Sequence, residues 1–166
     1  MKQFYIGNSK ISGKGIIAGE DIPKGRVISR VKGPLKFKVN KSKEDAIANP
    51  RWIGVKKDIW IDPERPHKFL NHSCNPTAGV RGLTLISVRD IKEGEEITAD
   101  YSTIEGDSLW EMSCSCGEGN CRKVIRSVEF LTPEQFESIP YIPAYFRKLY
   151  LNGNKNKKNF NKKNLV

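Results

Sequence analysis

The chain has 166 residues, 37% of them hydrophobic, and a net charge of +10. This length suits one domain with a real core, while the low apolar content leaves part of the chain solvated. No run approaches the ~20 apolar residues that cross a bilayer and the N-terminus shows no apolar signal segment, so membrane and secreted classes are set aside. The expected compartment is the cytoplasm, with nucleoid or chromatin association, or export to a host, as further destinations.

Short β-branched or aromatic runs bounded by Gly, Pro, Asn and Asp dominate the first hundred residues. They predict strands at Phe4–Ile6, Gly15–Ala18, Arg26–Val31, Ile59–Ile61, Leu83–Val88 and Glu96–Thr98. Turns at Ile22–Gly25 and Ile91–Glu95 separate them. From Lys24 to Lys43 there are eight basic residues and no acid, which reads either as a solvated face or as attraction to nucleic acid or a target near it. At the end of that region a short helix is expected from Ser42 to Ala48, with Ser42 as N-cap.

After residue 131 the texture becomes helical. Thr132-Pro133-Glu134-Gln135 combines an N-cap, a proline at the first helical position and a capping box. That helix must end by Ile139, because Pro140 follows. A second helix is expected over Pro143–Leu151, with Tyr145, Phe146 and Tyr150 on its apolar face and Gly153 as its stop. Beyond it lie five lysines and six asparagines with no acid, the composition of a loose basic tail.

All four cysteines fall in two places: Cys74, and the Gly-rich loop Cys114-Ser115-Cys116-Gly117-Glu118-Gly119-Asn120-Cys121. In a reducing compartment this grouping points to a metal rather than to disulfides. The economical ligand set for one structural Zn²⁺ is Cys74, Cys114, Cys116 and Cys121, with Arg122 and Lys123 as cationic neighbours to four thiolates. Four protein ligands would leave no open position for metal catalysis.

Three further motifs stand in order: Gly13-Lys14-Gly15, Phe69-Leu70-Asn71-His72-Ser73-Cys74-Asn75-Pro76, and Gly94-Glu95-Glu96-Ile97-Thr98-Ala99-Asp100-Tyr101. Together with the Cys-x-Cys-x4-Cys loop, they resemble the signature of small stand-alone SET-domain protein-lysine methyltransferases with a post-SET zinc segment. The resemblance covers roughly residues 3 to 126. It implies a mostly β fold of several small sheets with a threaded C-terminal segment, here followed by a short helical extension. It divides the chain into a SET domain at 1–112 with an inserted substrate-side segment at about 33–62, a post-SET loop at 113–126, a helical extension at 127–151 and the tail at 152–166.

The resemblance also implies S-adenosylmethionine as methyl donor and transfer to the side-chain amine of a lysine in a protein. Lys14 and Gly15 would touch the donor's amino-acid end through their backbone, Asn71 and His72 would hold its adenine and neighbouring groups, and Val124 and Ile125 would cover the adenine. Tyr101 would stand at the transfer centre. A lysine amine must lose its proton to attack, and a dry aromatic channel beside a positive sulfonium favours the neutral form. The target would bind as an extended strand, either a basic peptide drawn to the acids around Tyr101 or a target presented on nucleic acid, with the enzyme a monomer and no membrane involved.

Two positions depart from the family pattern. Ala99 stands where an aromatic is usual, so di- or trimethylation is expected unless another ring fills the space. Thr77 stands where Asn is common, which alters local hydrogen bonding. The rival readings are an inactive zinc module that binds peptide or nucleic acid, and an enzyme acting on a small molecule or another side chain. Trp52 and Trp60 read as core residues first and channel residues second.

Overall fold

Among the described residues twelve short strands form the framework, and their pairing explains how distant motifs meet. The computed structural model of the protein describes residues 3–37 and 51–163, with side chains to residue 153. The helix expected at Ser42–Ala48 lies outside the described residues.

The first sheet has the order β1 (Phe4–Asn8), β2 (Lys14–Ala18), β10 (Glu96–Ala99) and β7 (Asn71–His72). β1 and β2 form an antiparallel hairpin with Phe4 opposite Ala18 and Asn8 opposite Lys14. β10 pairs antiparallel with β2 and parallel with β7, setting Thr98 beside Asn71 and Ala99 beside His72. This last pairing brings the Asn-His motif to the strand end that leads into Asp100-Tyr101. A second sheet runs β3 (Val27–Arg30), β9 (Thr84–Ser87), β8 (Ala78–Arg81). A third comprises β4 (Leu35–Phe37), β6 (Ile59–Ile61) and β5 (Ile53–Lys56), and β11 (Glu111–Ser113) pairs with β12 (Val124–Arg126).

Central strands buried along most of their length, together with the turn after β10, build one core from Ile16, Ala18, Ile28, Val80, Leu85, Ile97 and Ile104, among others. Each such aliphatic side chain stabilises the fold by about 1.5–3 kcal/mol relative to leaving it in water. Thr77, the departure noted above, is buried and exchanges bonds with Thr98: Thr98 N donates to Thr77 Oγ1 at 2.8 Å and Thr77 N to Thr98 Oγ1 at 3.2 Å. The change from Asn therefore leaves a satisfied pair between β10 and the chain entering β8.

The expected capping box is present at helix α1 (Pro133–Ser138), with Thr132 and Gln135 bonding reciprocally. Helix α2 begins at Ala144 but does not stop at Gly153; its backbone stays helical to Lys163, through the region where composition suggests a loose tail. Gly153 costs a helix interior only about 1 kcal/mol relative to Ala, too little to end it alone. The two helices enclose a second core of Val128, Phe136, Ile142, Phe146 and Tyr150, with Phe136 and Tyr150 stacked 3.8 Å apart. This core is anchored on the third sheet, because a Cβ at Gly54 would fall 2.6 Å from Phe146 Cζ and into the Ile104 carbonyl. Among the described residues no helix is long and apolar enough to cross a membrane.

Candidate active site and metal centre

Tyr101 opens the short 3-10 turn Tyr101–Ile104 that follows β10, and Asp100 caps that turn by accepting from Ser102 N at 3.0 Å. Its phenol donates to the Leu70 carbonyl at 2.5 Å, across 31 residues of sequence. Burial, then the nearby Glu96 carboxylate, push its ionisation far above the ordinary value. The group at this place is a neutral phenol.

Two cavities meet at Tyr101. One, of about 500 Å³, is bounded by Gly13 and Lys14, by Asn71 and His72, and by Met112–Cys116. The other is small, about 20 Å³, and lies among Trp52, Ile53, His67, Ile104, Glu105 and Trp110. Tyr101 and Leu70 line both, as do Arg51 and Lys68. The large cavity has the dimensions of a cofactor-sized pocket; the small one admits about one water-sized group.

A polar clasp shapes the glycine side of the large cavity. Gly13 takes a positive φ of 52°, which lets its carbonyl turn back to Ser9 N at 3.0 Å. Ser9 Oγ accepts from the amides of Ile11 and Ser12 and donates to Glu96 Oε2 at 2.8 Å. Asn71 Nδ2 shares its two protons among Glu96 Oε1 at 2.7 Å, Ser9 Oγ and the Lys14 carbonyl, both at 3.0 Å, and the Ser12 carbonyl at 3.2 Å. Asn71 is thus the strut of the loop. Gly15 does not line the cavity; a Cβ there would run into the Glu96 carboxylate, so Gly15 admits the clasp while Lys14 forms the wall.

The four cysteine sulfurs lie within 4.8 Å of one another. Cys74 and Cys114 are 3.8 Å apart and Cys114 and Cys121 3.6 Å. Metal–sulfur bonds of ~2.3 Å in a tetrahedron require edges of roughly 3.8 Å, so the group fits a thiolate-held ion. The Cys116 thiol, although burial opposes ionisation, is brought down to about 7 by the backbone amides of Cys74 and Glu118 and by the neighbouring thiols.

A closed ring of bonds joins this centre to Tyr101. His72 Nδ1 accepts from the Tyr101 amide at 3.2 Å, so its proton sits on Nε2, 3.3 Å from Cys74 Sγ. Burial holds His72 neutral, lowering it to about 4 against the opposing pull of Asp100. On the other side, Arg122 N and Nε each lie 3.4 Å from Cys74 Sγ. Its Nη2 reaches Asp100 Oδ1 at 2.6 Å and its Nη1 reaches Ser102 Oγ at 3.2 Å. Such partners orient ligands and tune their basicity.

The structure therefore gathers Lys14, Asn71, His72, Tyr101, Cys114 and Cys116 around one cavity, with Cys74 and Cys121 completing the cysteine group beside it. Val124 and Ile125 stand apart from its lining: Val124 is exposed, and Ile125 is buried against Trp110 on β12. The wall there is the partner strand β11, because β11 and not β12 faces the cavity. The acids expected to draw a basic peptide are in part already engaged, Glu95 by Arg89, Glu96 by Ser9 and Asn71, and Asp100 by Arg122. Trp60 is a core residue whose Nε1 donates to Glu105 at 3.1 Å, while Trp52 lines the small cavity. Ser9 and His67 lie outside the quoted motifs, since nothing local distinguishes them, while Leu70 and Glu96 lie inside the motifs without a site role assigned from sequence.

Comparison with known proteins agrees with this geometry. A family model described as SET domain matches residues 13–102, more than half of the chain. The chain belongs to the SET-domain family. Among curated relatives, histone-lysine N-methyltransferase trithorax of Drosophila virilis is 28% identical over 73% of this chain and 4% of its own length. The H3 lysine-4 specific histone-lysine N-methyltransferase of Schizosaccharomyces pombe is 28% identical over 73% of this chain and 15% of its own. Histone-lysine N-methyltransferase trr of Drosophila melanogaster is 31% identical over 72% and 6%. The chain thus spans a small fraction of these relatives. A humanized mutant of Chaetomium thermophilum Polycomb Repressive Complex 2, bound to the inhibitor GSK126, shares the fold with a TM-score of 0.51 at 20% identity, over 64% of this chain and 16% of that one.

Proposed function

We propose that this SET-domain protein transfers a methyl group from S-adenosylmethionine to the side-chain amine of a lysine in a protein. The observation that carries the reading is the position of Tyr101, whose phenol lies at the junction of a cofactor-sized cavity and a narrow aromatic one. S-adenosylmethionine, when bound in the larger cavity, supplies an activated methyl on a sulfonium. Lys14, Asn71 and His72 form or brace the wall that would hold it. The target lysine enters from the small cavity, where Trp52, Ile53, Ile104 and Trp110 exclude water and so disfavour the ammonium form. The Tyr101 oxygen, fixed by its bond to the Leu70 carbonyl, orients the amine, and the two oxygens together face the positive charge of the transferring methyl.

Zn²⁺ held by Cys74, Cys114, Cys116 and Cys121 braces the wall through structure alone, since four thiolates leave it no open position. The target chain runs as an extended strand between the inserted sheet β4–β6–β5 and the cysteine loop. The test is label transfer from methyl-labelled donor to core histones and to a whole-cell lysate. Wild type should label protein lysine, and Tyr101→Phe should lower the rate roughly 100-fold, the scale on which one precisely placed group acts, with metal content unchanged. Absence of labelled protein from every pool with the metallated wild type would overturn the reading.

A further inference from the structure

Among the polar side chains that line the small cavity, His67 is one that the transfer chemistry above does not use. His67 sits at the start of the 3-10 turn His67–Phe69, only 6% exposed, and lines the cavity together with Tyr101. Its Nε2 is 2.8 Å from Ser29 Oγ on β3, which fixes the ring plane. Among the described residues Nδ1 has no hydrogen-bond partner. Ala99, beside which extra space is expected from sequence, is fully buried in the core and is not part of the cavity wall. The side chains that bound the small cavity are others, the imidazole of His67 among them.

We infer that His67 sets the number of methyl groups added, restricting the product to monomethyl-lysine. This rests on the methyltransferase reading above. Two physical effects act in the same direction. The first is volume: the cavity beside Tyr101 is small, about 20 Å³, and the imidazole forms part of its wall, so each methyl added to the amine has less room than the hydrogen it replaces. The imidazole is tethered to Ser29 and packed in a buried position, so moving it breaks a hydrogen bond and opens a void. The second is polarity. A neutral imidazole offers a hydrogen-bond partner that an N–H can use and an N–CH₃ cannot, and a buried partner left unmatched is penalised. Each turnover exchanges one amine N–H for N–CH₃, with the donor sulfonium becoming a thioether and the proton leaving to water. Monomethyl-lysine re-entering the site must turn its methyl toward either His67 or Tyr101, and both places favour N–H.

The experiment needs no identified target. Metallated protein is incubated with methyl-labelled S-adenosylmethionine and a whole-cell lysate. The protein fraction is hydrolysed in acid, and labelled mono-, di- and trimethyl-lysine are separated. Wild type is expected to give monomethyl-lysine almost alone. His67→Ala, which removes both volume and polarity, is expected to raise the combined di- and trimethyl fraction at least 5-fold. Ser29→Ala, which leaves the ring in place but frees it, should shift the ratio in the same direction by a smaller factor, and it keeps the test decisive if the alanine variant does not fold. Because the readout is a ratio of products, a general loss of activity does not mimic it. A wild type that readily makes trimethyl-lysine, or variants that label lysine in unchanged proportions, would overturn the assignment of His67 alone. Absence of labelled lysine with the wild type would instead overturn the methyltransferase reading and this inference with it.

Discussion

Replacing Arg122 with alanine should uncouple the cysteine centre from the turn that carries Tyr101. The guanidinium is 14% exposed and its Asp100 partner 4%, so the pair lies largely out of water. Alanine removes the 2.6 Å bond to Asp100, the 3.2 Å bond to Ser102 and the Nε contact to Cys74, leaving a buried carboxylate that keeps the Ser102 amide. Breaking one side of a buried pair costs about 3–5 kcal/mol, and the retained amide bond places this case near 3. For a chain of this size that corresponds to a fall in Tm of roughly 6–12 °C. Urea unfolding at fixed free zinc would measure it, with Asp100→Asn and the double variant completing a cycle. Because the two residues act on one bond, the double variant should lose roughly 2 kcal/mol less than the sum of the singles. Simple additivity, or a loss below about 1 kcal/mol for Arg122→Ala, would refute the ring as a mechanical link.

Three further outcomes are expected. Metal analysis should find about one zinc per chain, and Cys121→Ser should weaken zinc binding by more than the roughly 10–100-fold that losing a ligand's hydrogen-bond partner costs, read by chelator competition. Asn71→Ala removes the strut between β7 and the loop before β2; affinity for S-adenosylhomocysteine should fall roughly 10-fold, a loss of about two net hydrogen bonds, while zinc content holds in calorimetry and metal assays. Burial lowers the His67 pKa below its usual 6.5, so the unfolded chain binds a proton there before the folded one does. Stability is then fully present above about pH 6.5 and declines as the pH falls below it, by at most ~1.4 kcal/mol per pH unit. The groups facing this ring across the cavity are Arg51, Lys68, Tyr101 and Glu105. His67→Gln should flatten that part of the profile, and an unchanged slope would contradict the assignment.

The linear chain determined what depends on residue type and local spacing. Three cysteines in eight positions can only fold back on themselves, Thr132-Pro133-Glu134-Gln135 can only start a helix, and β-branched runs bounded by turn residues predict the strands around Ile16, Leu85 and Ile97. Strands as short as Asn71–His72 and Val124–Arg126 escaped because two or three residues carry no periodicity. The end of α2 escaped because a single glycine is a weaker signal than the helix that runs through it.

Tertiary structure decided which side chains face the same space. The parallel pairing of β7 with β10 puts His72 against the Tyr101 amide, and the return of the cysteine loop brings Arg122 to Asp100, 22 positions earlier in the chain. It also placed β11 rather than β12 on the cavity, left Ala99 in the core, and put His67 on the same small cavity as Tyr101. None of these follows from composition, because a contact between distant residues is fixed by strand register, and register is settled only when the whole core packs at once.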